Sequence, residues 1–144
     1  MKIVAQRSLN SKVEVDGKIT GKIDKGMVLL VGFSVEDTED KIEYMVNKII
    51  NLRIFDDENK VMNKNILDVG GEILSISQFT LYGDARKGNR PSYINSMKAD
   101  DARIMYQKFN EELSKHIHVE TGIFQADMKV SIENDGPVTI ILER

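Results

Sequence analysis

The chain has 144 residues, with 20 Lys and Arg against 23 Asp and Glu, a net charge of −3 and no cysteine. The length matches one domain, residues 1–144, able to bury roughly 68–70% of its unfolded surface, and the lack of cysteine excludes disulfides, thiolate nucleophiles and cysteine-type zinc sites. The acidic balance argues against a protein that coats nucleic acid by bulk charge. The longest apolar run, residues 27–31, is far short of the about 20 that cross a bilayer, and Lys2, Gln6 and Arg7 interrupt any signal-peptide core, so a cytoplasmic protein without membrane attachment is expected.

Residues 2–8 read as a first strand. After it, Lys12-Val13-Glu14-Val15-Asp16-Gly17-Lys18-Ile19 sets alternating apolar residues around an Asp-Gly pair, the strongest short-range hairpin signal. Gly26-Met27-Val28-Leu29-Leu30-Val31-Gly32-Phe33 is continuously apolar, as in a strand covered on both faces. From Asp37 or Thr38, each suited to cap a helix, the pattern changes to the helical stripe Ile42, Met45, Val46, Ile49 and Ile50. Residues 52–55 predict a short strand ended by Asp56-Asp57-Glu58-Asn59, and Asp68-Val69-Gly70-Gly71 turns the chain into the strand-like run 75–82. A second helix is expected over about residues 100–115, its apolar face made by Ala102, Met105, Tyr106, Phe109 and Leu113. Met128, Val130 and Ile132 then alternate with polar residues, Asn134-Asp135-Gly136-Pro137 makes a turn, and residues 138–142 return. The order βββ-α-ββ-α-βββ predicts an α+β domain: a curved or closed, largely antiparallel, barrel-like sheet with two helices on its outside.

Chemistry concentrates in Ser75-Ile76-Ser77-Gln78-Phe79-Thr80-Leu81-Tyr82, where either face of a strand would mix apolar with hydroxyl or amide groups. Such groups are costly to bury unpaired, so the run reads as the wall of a polar cavity, or more plainly as an edge strand whose hydroxyls cap neighbouring backbone. Thr80 is its most interesting hydroxyl, yet a threonine is a poor nucleophile without a base and none is near in sequence. His116 and His118, the two histidines, lie at the end of a helix and with Glu120 could in principle hold a metal; solvated side chains are the simpler account. No Gly-Lys-Ser/Thr phosphate loop and no Gly-x-Ser-x-Gly elbow occurs. Gly136-Pro137 reads as a hairpin turn, or as a presenter of fixed backbone carbonyls that would reject a substrate by clash. Arg86, Lys87 and Arg90, in the loop after Tyr82, are candidates to position a phosphate backbone, against the commoner reading of a solvated loop.

Together, Ser77-Gln78-Phe79-Thr80-Leu81-Tyr82, the following Asp84-x-Arg86-Lys87-Gly88-x-Arg90-Pro91-Ser92, and Asn134-x-Gly136-Pro137-Val138-Thr139 closely resemble the D-aminoacyl-tRNA deacylases, with support from Asn51-Leu52-Arg53-Ile54-Phe55 and Leu67-Asp68-Val69-Gly70-Gly71-Glu72. The resemblance implies a cytoplasmic homodimer that hydrolyses the ester between a D-amino acid, or glycine, and the terminal adenosine of tRNA, without cofactor or metal. It implies that Ser77, Gln78, Phe79 and Thr80 line the site of one subunit. Gly136 and Pro137, as a Gly-cis-Pro pair supported by Arg7, would enter from the other and exclude L-amino acids. Gly83, Ala85 and Tyr93 stand where many relatives carry Ala, Thr and Phe, which bears on loop contacts. Two other readings stay open: a deacylase of the same fold for a mischarged small L-amino acid, and a non-catalytic RNA-binding domain using residues 86–90. A small-molecule binding barrel is a remote third.

Overall fold

A computed structural model describes residues 1–144. The Asp-Gly hairpin joins two long strands, β1 (Lys2–Val15) and β2 (Lys18–Gly32). Asp16 and Gly17 both take positive φ, 49° and 74°, in a two-residue turn whose twist matches that of the strands it connects. The separate first strand and later hairpin expected from sequence are thus one continuous element. Helix α1 (Asp40–Ile50) follows, then a small ladder of β3 (Phe55–Asp56) with β4 (Met62–Lys64), β5 (Glu72–Ser77), a 3-10 turn over Phe79–Tyr82, helix α2 (Ala99–Ser114), β6 (Val119–Thr121) and β7 (Lys129–Glu143). The short strand expected at residues 52–55 contributes only Phe55 to a ladder.

The main sheet has the order β6-β5-β2-β1-β7, antiparallel where β1 meets β2 and β7, parallel where β5 meets β2 and β6. It is mixed and open rather than closed into a barrel, because β6 spans three residues and β7 pairs with β1 alone. One face carries the core: Ile3, Ala5, Met27, Leu29, Val31 and Ile73 pack under the stripe of α1 and under Met105, Tyr106, Phe109 and Leu113 of α2. Phe109 is fully buried, and truncating such a ring costs about 3–5 kcal/mol. The other face buries Val13, Ile23, Val28, Leu74 and Ile76 against Met128, Val130 and Ile132. Val130 and Ile132 of β7 can join a cluster with Leu74 and Ile76 of β5, with β1 and β2 between them in the order, only if the sheet bends strongly. This is why Gly26–Phe33 reads as apolar on both sides.

Two local expectations differ. Asp37 does not cap α1; the N-cap is Glu39, without a side-chain bond. Asp37 is buried, accepting from the Met1 ammonium (2.5 Å), Lys41 Nζ (2.9 Å) and the Ser34 amide (2.8 Å). Thr38 likewise turns its hydroxyl to Asp40. The Asn134-Asp135-Gly136-Pro137 segment is no hairpin turn either: it lies inside the continuous strand β7, as a bulge against β1.

Candidate active site

Strand β5 delivers Ser77 beside Val31, and the Gln78 amide makes a last bond to the Val31 carbonyl (2.7 Å) before the chain leaves the ladder. Residues 79–82 then wind into the 3-10 turn, closed by the Gly83 amide on the Thr80 carbonyl (2.9 Å). A turn of this kind leaves its first amides without intramolecular acceptors. The Phe79 and Thr80 N–H groups make no backbone hydrogen bond. Gln78 Nε2 donates to Thr80 Oγ1 (2.5 Å), so the Thr80 oxygen is an acceptor and its own proton is left to donate elsewhere. Ser77, Gln78 and Phe79 line a cleft of about 580 Å³ whose other walls include Met97, Ala102, Phe124 and Met128. Phe79 is 57% exposed, braced edge-on by Tyr93 at 5.1 Å. The run 75–82 is therefore a strand end and turn that build a cleft wall, not a full strand.

Gly136 and Pro137 are exposed on the β7 bulge and do not line that cleft within the chain; their peptide bond is cis. Gly136 has φ of +123°, and a Cβ there would lie 2.7 Å from Val138 Cγ2 and 2.9 Å from the Val138 nitrogen, so glycine is required. Arg7, buried beneath, donates from Nε to the Asp135 carbonyl (3.2 Å) and from Nη1 to the Ile54 carbonyl (3.0 Å), with Asp56 and Asp135 carboxylates at 3.4 and 3.0 Å. The guanidinium joins the bulge to the segment before β3.

Arg86, Lys87 and Arg90 are exposed in the loop after the 3-10 turn. Arg86 is engaged with Asp84, Nη2 to Oδ2 at 2.6 Å and Nε to Oδ1 at 2.9 Å, which pulls the Asp84 carboxyl down to about 2. It borders a second depression, of about 900 Å³, shared with Lys2, Lys41, Tyr82 and Arg144. Burial pushes the Tyr82 phenol up to about 12, so it stays protonated at neutral pH. His118 bonds Glu120 at 2.8 Å and both histidines are exposed; no three His, Asp or Glu side chains gather as a metal-binding group.

The family model of D-Tyr-tRNA(Tyr) deacylase matches residues 4–143. The chain belongs to this deacylase family. A D-aminoacyl-tRNA deacylase of Clostridium botulinum (strain 657, type Ba4) is 58% identical over 99% of the chain and 97% of its own length. That of Clostridium kluyveri is 57% identical over the same shares. Among solved structures, one described as c-Myc DNA unwinding element binding protein superposes with a TM-score of 0.95 at 43% identity, covering 100% of this chain and 99% of its own. A probable eukaryotic D-amino acid tRNA deacylase shares the fold, with a TM-score of 0.84 at 15% identity over 98% of this chain and 97% of its own.

Two parts of this deacylase's candidate site escape a reading of the sequence. Phe124 comes from the segment between β6 and β7, which forms no strand or helix, and Met97 from the approach to α2, while Met128, read in sequence as a strand residue, also lines the cleft. The alternation Gly122-x-Phe124-x-Ala126-x-Met128 is the signal that singles out this wall. Asn134, whose side chain bonds both sides of the bulge, reads in sequence as a turn former and as part of the family-like motif, with no role of its own.

Proposed function

We propose that this D-aminoacyl-tRNA deacylase breaks the ester between a D-amino acid, or glycine, and the terminal adenosine of tRNA over residues 77–80, with Gly136 and Pro137 of a second copy screening the amino acid. The observation that carries this reading is the pair of partnerless amides, Phe79 and Thr80, beside a cleft lined by Ser77, Gln78 and Phe79. Main-chain N–H groups free to meet the oxyanion that forms when water adds to an ester carbonyl stabilise it, and such donors contribute about 2.7–4 kcal/mol each. An aminoacyl ester is already activated, and the neighbouring ribose 2′-hydroxyl assists, so alignment supplies much of the remaining acceleration. Thr80, its oxygen occupied by Gln78, donates its hydroxyl proton and positions the substrate. The apolar wall of Phe124, Met97 and Met128 suits the flat adenine.

Selection of hand follows from main-chain atoms. An L-residue held by the same ester would direct its side chain at the carbonyls of Gly136 and Pro137, which cannot rotate aside as a side chain would. The resemblance of residues 134–139 to the family motif supports this, and since those residues do not line the cleft of their own chain, a homodimer would bring them in. Lys87 and Arg90 serve the tRNA backbone, and the site of action is the cytoplasm.

The test is release of tyrosine from D-Tyr-tRNA and L-Tyr-tRNA by the purified chain. Release of the D-form with the L-form spared is expected. Equal hydrolysis of both removes the chiral assignment, and faster release of a mischarged small L-residue replaces it with the L-specific alternative. The likeness to a protein named for binding a DNA element favours one second reading, non-catalytic nucleic-acid binding. That reading predicts binding that weakens steeply with salt and is indifferent to Thr80, Gly136 and Pro137.

A further inference from the structure

We propose that Asn134 is a positioning residue, which sets the place of Gly136 and Pro137 by tying the neck of the bulge that carries them; the inference rests on the selectivity reading above. In the β1–β7 pairing Gln6 faces Thr139 and Ser8 faces Asn134, so Arg7 alone stands opposite residues 135–138. An ordinary bulge sets two residues against one. Here the ladder is interrupted over a longer stretch, and the main-chain groups at its two ends need other partners.

Asn134 supplies them. Its Nδ2 donates one hydrogen to the Arg7 carbonyl (3.0 Å) and the other to the Val138 carbonyl (2.9 Å). Both N–H bonds of one amide are spent, on an acceptor from the facing strand and an acceptor from the far side of the same bulge. Arg7 works from the opposite side, with Nε on the Asp135 carbonyl (3.2 Å). Between these two clamps only Gly136 and Pro137 project, exposed. Asn134 needs no contact with substrate for this. It acts through where the two carbonyls stand, and a screen that works by clash tolerates little displacement. The amide is also specific: a carboxylate of the same shape has no donor and would face two carbonyl oxygens.

The experiment uses the whole chain with Asn134→Asp and Asn134→Ala, measuring kcat and KM on D-Tyr-tRNA and L-Tyr-tRNA together with Tm. The bulge lies on an edge strand, so both variants fold. The D-over-L ratio of kcat/KM falls by about tenfold or more, the loss of one to two hydrogen bonds, and L-Tyr-tRNA hydrolysis rises in absolute rate, which loss of stability cannot produce. Three results overturn the proposal: an unchanged ratio in the folded variants, a proportional loss on both substrates, or failure of both variants to fold. Selective wild type with equally selective variants sinks the role of Asn134 alone, whereas wild type that takes both hands sinks the selectivity reading beneath it.

Discussion

Thr80 presents a hydroxyl whose oxygen already accepts the Gln78 amide, with no histidine or carboxylate bonded to it. A nucleophile needs a base to take its proton, and a positioning hydroxyl does not. Thr80→Ser should therefore keep near-full activity, and Thr80→Val should lose about tenfold in single-turnover rate, the worth of one hydrogen bond of about 1–1.5 kcal/mol. A loss beyond a thousandfold would restore the covalent route. Gly136 makes the second case at this scale. With φ of +123° and the Val138 nitrogen 2.9 Å from where a Cβ would stand, Gly136→Ala forces the bulge to shift. The expected outcome is a fall of about 1–3 kcal/mol in urea unfolding, with measurable release of L-tyrosine from charged tRNA. What was legible in residues 75–82 was polarity on both faces of a supposed strand, and the structure accounts for it: half of the run winds into a turn. Asp37 has the side chain of a cap, but the fold brings the Met1 ammonium to it from the start of the chain and Lys41 from the first turn of α1, and these occupy its carboxylate instead.

Strand β7 shows what local composition hides. Asn-Asp-Gly-Pro has every mark of a reversal, but residues 129–134 and 139–143 both pair with β1, and that ladder outweighs the turn preference by making the reversal a bulge. No property of residues 134–137 alone distinguishes the two outcomes. The helices were legible because their stripes repeat over several turns. The loop after the 3-10 turn carries its own prediction. Asp84 already neutralises Arg86, leaving Lys87 and Arg90 as the cations without an ion pair there. Asp84→Asn should steepen the salt dependence of tRNA binding by about one unit of log–log slope, while Arg86→Ala, which leaves the Asp84 carboxylate uncompensated, should weaken binding without steepening it. The sign with pH follows from a carboxyl depressed to about 2: the pair is intact wherever Asp84 is ionised and is lost only as pH falls towards that value. Titration of tRNA affinity between pH 5 and 8 should show no step from this pair, and a step there would assign the loop's charge to another group.

At the scale of the molecule, closure of the sheet was expected and is not reached by one chain. The strand pattern revealed alternation and curvature, but not that β6 is three residues long or that β7 ends the order with a free edge of fifteen. A long unpaired edge is a place where another chain adds, and Ile141 (66% exposed), Phe79 (57%) and Ile94 (81%) provide apolar surface besides. If two copies share each site, sedimentation should give twice the 16.3 kDa chain mass. Mixing experiments then separate a shared site from two independent ones. Take one chain carrying Gly136→Ala, which leaks L-tyrosine, and co-express it with an excess of a chain whose cleft is filled by Gln78→Trp. In the mixed dimer the one open cleft belongs to the leaky chain but faces an intact Gly136 from its partner. Release of L-tyrosine per open cleft should fall towards the wild-type level as the blocked chain increases, while D-tyrosine release per open cleft persists. A leak that stays constant per open cleft would mean that each chain screens its own substrate, and the cross-subunit site would have to be given up.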